Sequence, residues 1–68
     1  MNHVYHVTEI VGSSPNGTDE AVTNAIAEAS KTLRNLDWFE VQSVRGKLDG
    51  DKVVHWQVTI KIGFRHEP

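Results

Sequence analysis

The sequence predicts one α+β domain over residues 1–68, with a three-stranded antiparallel sheet partly wrapped around one helix in the order β-α-β-β. Three observations support this fold class. β-branched and aromatic residues dominate residues 3–12, an apolar stripe of helical spacing lies between residues 18 and 33, and two strand-like runs flank Asp49-Gly50-Asp51. A chain this short builds a small core and has no cysteine for a disulfide, so oligomerisation is the remaining source of stability.

The first strand is predicted from His3 to Gly12, and the turn-forming residues 12–17 end it. Apolar or β-branched side chains occur on both faces of this strand: Tyr5, Val7 and Val11 on one, and Val4, Thr8 and Ile10 on the other. A neighbouring subunit that covers the second face would explain this pattern, and a slightly apolar surface is the alternative.

The helix is predicted to begin at Thr18, whose hydroxyl can cap free amides, while Asp19 and Glu20 place carboxylates in the positive first turn. Its apolar stripe is narrow and rich in alanine: Val22, Ala25, Ile26, Ala29 and Leu33. Small side chains on this stripe would let the sheet approach the helix closely.

The end of the helix is predicted near Asn35, which fits a left-handed terminator. Lys31 and Arg34 are then expected in the last turns, where cations are favourable. A solvated helix end is the simplest role for these two cations.

The second strand is predicted from Trp38 to Leu48 and the third from Lys52 to about Arg65. The third strand alternates between a core face and an outer face that Gly63 interrupts: Val54, Trp56, Val58, Ile60, Ile62 and Phe64 on the first, and Val53, His55, Gln57, Thr59, Lys61 and Arg65 on the second.

If the hairpin centres on Gly50, Arg45 lies beside His55, and Trp38 lies beside Ile62 on the core face. This register conflicts with a ligand-binding role for Trp38, unless the strand end twists outward or a subunit boundary lies there.

Composition excludes several classes of partner. The chain has 7 Lys and Arg against 9 Asp and Glu, a formal net charge of -2, so no basic surface for nucleic acid or anionic membranes is expected. No segment approaches the roughly 20 apolar residues of a membrane-spanning helix, and the first residues do not resemble a signal peptide. We therefore expect a cytoplasmic protein.

No pairing of a nucleophile with a base and no glycine-rich phosphate cradle stands out, so we do not expect an enzyme. The histidines lack the spacing of a metal-ligand set, and we predict no metal site from them: His3, His6, His55 and His66.

A recognition surface is the remaining hypothesis. Trp38 offers an aromatic plane, Gln57 an amide with donor and acceptor, and Arg45 a cation. A flat heterocycle with carbonyl and N–H edges, bearing a phosphate, would use all three. The alternative is structural, since Trp often fills cores and Gln often lies on sheet surfaces.

Residues 33–41, Leu-Arg-Asn-Leu-Asp-Trp-Phe-Glu-Val, and residues 57–65, Gln-Val-Thr-Ile-Lys-Ile-Gly-Phe-Arg, resemble the dodecin family of small flavin-binding proteins that form hollow dodecamers. The resemblance extends over nearly the whole chain, including Val4-Tyr5, the turn at residues 9–15, and Arg45-Gly46. It implies twelve copies with tetrahedral symmetry and flavin pairs at subunit interfaces.

The resemblance also implies roles for individual residues. The residue matching Trp38 stacks on the flavin ring, Gln57 hydrogen-bonds its polar edge, Asp37 contacts the ribityl end, and Arg45 meets the phosphate of flavin mononucleotide. Some members of the family hold coenzyme A near positions that match four residues here: His3, Lys31, Arg34 and Arg65.

We therefore expect a flavin storage and buffering protein that quenches flavin photochemistry. A flavin-dependent reductase or electron carrier is the alternative, and a purely structural interaction domain is a third. Arg45 favours flavin mononucleotide, but riboflavin and lumichrome would use the same ring contacts.

Overall fold

The computed structural model describes residues 3–67 and contains four elements in the predicted order. They are β1 (Tyr5–Ser14), α1 (Thr18–Ala29), β2 (Leu36–Asp49) and β3 (Lys52–Arg65). The three strands form one antiparallel sheet in the order β1-β3-β2, so the last strand lies in the middle. The predicted fold class is confirmed, with β1 starting and ending two residues later than expected and β2 starting two residues earlier.

One face of β3 forms the core against α1. Val58, Ile60 and Ile62 are buried there, together with Ala21 and Ala25 of the helix. Five partly buried residues complete the cluster: Ile10, Val22, Ile26, Ala29 and Leu36. The alternation predicted for β3 is confirmed at these buried positions, and the stripe on the helix is rich in alanine as expected, although Ala21 was not among the predicted residues.

The helix approaches the sheet closely at Gly12 of β1. A Cβ atom at this position would overlap the carbonyl oxygen of Ala21 and would lie 2.8 Å from the Cβ of Ala25. Such a short separation leaves no room for a side chain, so glycine on the strand and alanine on the helix allow the two elements to pack in direct contact.

The start of α1 differs from the prediction. Gly17 occupies the N-cap position without a side-chain cap hydrogen bond, so the expectation that the Thr18 hydroxyl caps the helix is wrong. Instead the buried Ser14 hydroxyl donates to Glu20, and the Asn16 side-chain amide donates to the same carboxylate at 2.7 Å. These two hydrogen bonds, the Ser14 bond first, lower the pKa of Glu20 below its ordinary value.

The helix also ends earlier than predicted, at Ala29. The Ser30 hydroxyl donates to the backbone oxygen of Ala27 at 2.7 Å, which is the local competition with the helix that serine offers. Lys31 and Arg34 therefore lie beyond the helix, and their predicted place in its last turn is wrong. Asn35 does adopt a left-handed conformation, with φ of 61°, but immediately before β2.

The register between β2 and β3 differs from the predicted one because the ladder is irregular. The hairpin is tight, with Asp49 facing Lys52, but three register shifts follow, at Lys47/Leu48, Val41/Ser43 and Leu36/Trp38. As a result Arg45 faces Gln57 instead of His55, and Trp38 faces Gly63 instead of Ile62. The observed partner of Arg45 is two residues from the predicted one, so Arg45 stays on the predicted face of the sheet. The observed partner of Trp38 is one residue from the predicted one, so Trp38 lies on the opposite face.

The sheet is wider than the helix that covers it. Phe39, Val41 and Val44 of β2 are exposed beside α1 and line a mainly apolar groove of about 520 Å³ together with Val22 and Val58. Within residues 3–67, the helix is neither long nor apolar enough to cross a membrane.

Candidate functional site

Trp38 lies on the face of the sheet that points away from α1. Its partner in the ladder is Gly63, which neighbours the buried Ile62 and therefore presents the opposite face. A Cβ atom at Gly63 would overlap Cε2 and Cζ2 of the indole, so the ring of Trp38 rests on the glycine backbone. The residue keeps 42% of its surface exposed. The placement of Trp38 on the core face, which followed from the regular register, is thus wrong.

A bulge at Asp37 produces this orientation. Leu36 faces Phe64 and Trp38 faces Gly63, so Asp37 is the extra residue in β2. In regular alternation Leu36 and Trp38 would share a face. The bulge separates them, so that Leu36 packs against the core and Trp38 turns outward.

Gln57 and Arg45 lie directly opposite each other on that same outer face. Gln57 is half-buried in the central strand, and Arg45 is exposed on β2. The structure therefore brings an amide and a guanidinium together, although the predicted register had paired Arg45 with His55. An amide with both donor and acceptor beside a fixed positive charge can bind a polar ring edge and an anionic group.

Trp38 is far from this pair within one chain. The indole of Trp38 rests on Gly63, which lies six positions after Gln57 along β3. At about 3.3 Å per residue this offset is roughly 20 Å. That separation exceeds what the two side chains could span across one stacked tricyclic ring. A single chain therefore supplies an aromatic platform at one end of its outer face and a polar pair farther along, without joining them.

Asp37 is exposed next to Trp38 and lines a small pocket of about 230 Å³ with Arg65. A carboxylate and a cation therefore share one pocket at the start of β2, next to Trp38 in the sequence.

The residues matched to coenzyme A contacts are only partly grouped. Arg34 and Arg65 line one pocket of about 380 Å³. Lys31 lies in an adjacent pocket and forms an exposed ion pair with Glu28 at 2.9 Å, and His3 lines neither pocket.

Two features of this region were missed from the sequence. The bulge at Asp37 has no compositional signal, but the interruption of the outer face by Gly63 was visible and could have marked a ring lying against the strand. The second feature is a hydrogen bond of 2.8 Å between the rings of His6 and His66, which are 60 residues apart in the chain.

Comparison with known proteins assigns the chain to a family. The dodecin family profile matches residues 4–67. A dodecin from Thermus thermophilus is 46% identical over 67 residues, covering 98% of this chain and 97% of the relative. The solved dodecin from Streptomyces coelicolor is 60% identical, with a TM-score of 0.94 and coverage of 98% of this chain and 96% of that one. The dodecin from Streptomyces davaonensis is 57% identical, with a TM-score of 0.95 and complete coverage of both chains, 100% each. The chain therefore belongs to the dodecin family.

Proposed function

We propose that this protein binds, stores and buffers flavin, holding pairs of flavin rings between Trp38 side chains of symmetry-related copies. Membership of the dodecin family supports flavin binding. The observation that carries the proposal is the indole of Trp38, which lies on the Gly63 backbone with 42% of the residue exposed. A large aromatic face held against a glycine and left open is suited to stacking on a flat ring.

Trp38 acts as platform and quencher in this proposal. Flavin supplies the absorption of light and the redox chemistry when it is bound. The indole is electron-rich, and stacking places it in contact with an electron-poor ring. Trp38 would hold the ring and would donate an electron to it when light excites it. Return of that electron to the oxidised indole would restore both ground states before reactive oxygen forms. Rings enclosed on both sides leave no open face for a substrate, so we propose binding and not catalysis.

The complete site forms only in an assembly. Dodecin family membership implies a homo-oligomer, and we propose the tetrahedral dodecamer. The roughly 20 Å between Trp38 and Gln57 along the strand means that the amide at a ring edge comes from a different copy than the indole on that ring. The exposed apolar residues Phe39, Val41 and Val44 supply surface that a neighbouring copy can cover.

The polar residues orient the ligand in this scheme. Gln57 forms hydrogen bonds with the polar edge of the ring through its amide. Arg45, its neighbour in the ladder, forms an ion pair with the phosphate. Asp37 lies beside the stacking ring and meets the ribityl end. We propose flavin mononucleotide as the ligand, with riboflavin and lumichrome able to use the same ring contacts. Only the phosphate contact should weaken strongly with added salt, because salt screens exposed charges.

Coenzyme A is a further proposed ligand. Arg34 and Arg65 share a pocket and provide two cations for phosphate groups. Lys31 is held by Glu28 and His3 lies outside the pocket, so their part in such a site requires a change in side-chain position or another copy.

Replacing Trp38 by alanine tests the proposal. Trp56 offers a matched control, because it is half-buried in β3 with its neighbours Gln57 and His55 on the opposite face. We expect Trp38→Ala to lose riboflavin binding, or to bind riboflavin that remains fluorescent, while Trp56→Phe binds and quenches it as the wild type does. Fluorescence titration measures both, and size-exclusion chromatography confirms the assembly.

Unchanged affinity and unchanged quenching in Trp38→Ala would contradict the proposal. Steady oxidation of a reduced nicotinamide by the flavin-loaded protein, above the rate of free flavin, would favour a reductase instead.

A further inference from the structure

His6 and His66 form a hydrogen-bonded pair of imidazoles at one end of the sheet. Nε2 of His6 lies 2.8 Å from Nδ1 of His66, and the ring centroids are 5.0 Å apart. His6 is paired with Phe64 in the ladder and stacks on its ring at a centroid distance of 5.5 Å. The backbone N–H of His66 donates to the carbonyl of Val4 at 2.7 Å. The backbones of both histidines are therefore anchored by the pairing of β1 with β3, while the exposed rings keep some freedom to move.

The hydrogen bond brings Nε2 of His6 and Nδ1 of His66 close enough to share a ligand. In a bond between neutral imidazoles one nitrogen donates its hydrogen and the other offers a lone pair. If the donor ring takes its other tautomer, both nitrogens point lone pairs at the space between them. Two nitrogens bound to a tetrahedral zinc ion at about 2.0–2.1 Å lie roughly 3.4 Å apart. The pair must open from 2.8 Å by about 0.6 Å, and both side chains are exposed enough to move.

We propose that His6 and His66 bind a divalent transition-metal ion, of the class that imidazole suits, such as Zn²⁺ or Ni²⁺. Among residues 3–67 no group of three or more His, Cys, Asp or Glu side chains is placed to hold a metal. The site is accordingly a two-histidine site, with its remaining coordination positions taken by water or an added ligand. These positions open into the pocket of about 380 Å³ that both histidines line.

The charged residues around the two histidines determine the affinity of the site for a metal ion. Glu67 lines the same pocket and has one carboxylate oxygen held by the Asn35 amide at 3.2 Å, so its negative charge favours a cation there. Arg34 and Arg65 also line the pocket and repel a divalent ion. With two ligands and opposed charges, binding should be weaker than at a four-ligand structural site and stronger when an anion such as phosphate completes the coordination.

This site is separate from the proposed flavin site. His6 faces Phe64 and therefore lies on the helix side of the sheet, whereas Trp38 lies over Gly63 on the other side. Failure of metal binding would leave flavin binding untouched, and the reverse also holds.

Isothermal titration of the metal-free assembled protein with Zn²⁺ and with Ni²⁺ tests the inference. We expect uptake of one ion per chain in the wild type and a loss of affinity of at least about tenfold in His6→Gln and in His66→Leu. His55→Gln, which removes an exposed histidine elsewhere on the sheet, should bind as the wild type does.

Equal uptake and affinity in the wild type and the two variants would overturn the inference, as would no detectable uptake by the wild type. Anomalous diffraction at the zinc edge on wild-type crystals gives a test that does not depend on the variants. A peak between Nε2 of His6 and Nδ1 of His66 is expected, and zinc bound only elsewhere would contradict the assignment.

Discussion

Substituting Gly63 by alanine should displace the indole of Trp38 while leaving Trp38 itself unmutated. Gly63 is buried beneath the ring, and an added Cβ would lie 2.5 Å from Nε1 and nearer still to Cε2 and Cζ2. Ordinary contact begins at 3.4 Å, so the ring must withdraw by about 1 Å or more. The rigid strand backbone beneath it cannot yield instead, because β3 is paired on both sides at this residue.

The loss in affinity follows from the loss of stacking. A flat ring stacked on an aromatic side chain contributes about 1–3 kcal/mol, as nucleic-acid bases show. Removing this contribution raises the dissociation constant for riboflavin by roughly 5- to 160-fold. Riboflavin is the appropriate ligand, because it lacks the phosphate through which Arg45 could compensate.

Fluorescence titration of the apoprotein measures this effect, and Gly46→Ala is the matched control. A Cβ at Gly46 meets only His55 O and Val53 Cγ1, both at 3.5 Å, which is ordinary contact in the same sheet. We expect wild-type affinity in Gly46→Ala and the stated loss in Gly63→Ala, with both variants assembled by size-exclusion chromatography. Wild-type affinity and quenching in an assembled Gly63→Ala protein would refute the role given to the glycine platform.

Three further predictions concern stability. Gly12→Ala should lower stability by about 1–3 kcal/mol through overpacking, because its Cβ would overlap the helix backbone; a thermal midpoint equal to that of Gly46→Ala would contradict this. Ile60→Ala, at a position with 0% exposure, should lose about 2–5 kcal/mol in chemical denaturation, and a loss below about 1 kcal/mol would show that the site is not close-packed. Because the folded protein lowers the pKa of Glu20, the ionised Glu20 side chain adds to the free energy of unfolding. This stabilisation is complete above the pKa of an unfolded glutamate, and it is lost as the pH falls through the lower pKa of the folded state. Glu20→Gln should therefore flatten the acid side of the stability profile, whereas Glu28→Gln, which alters an exposed ion pair, should not; identical acid profiles for Glu20→Gln and wild type would contradict the assignment.

The fold class could be predicted because its signals are local and periodic. The alternation of Val58, Ile60 and Ile62 and the alanine-rich stripe on the helix each identify a buried face without reference to the rest of the chain. The helix end was placed too late because the pattern continued to Leu33, although Ser30 bonds back to the turn before it.

The site could be predicted only as a set of residue types. Bulges carry no periodic signal, and each one changes which residues face each other. The predicted pairing of β2 with β3 was wrong by one residue at Trp38, which placed this side chain on the wrong face of the sheet. It was wrong by two residues at Arg45, which gave this side chain the wrong partner but the correct face. The contact between His6 and His66 joins the two ends of the chain, and only the pairing of β1 with β3 reveals it.

A crystal structure of the protein grown with riboflavin tests the stacking of flavin on Trp38 most directly. We expect paired rings enclosed by Trp38 side chains from two copies, with the Gln57 amide at each ring edge donated by a copy other than the one that stacks on that ring. Riboflavin bound within a single chain, or bound away from Trp38 while that indole contacts only protein, would contradict the proposed function.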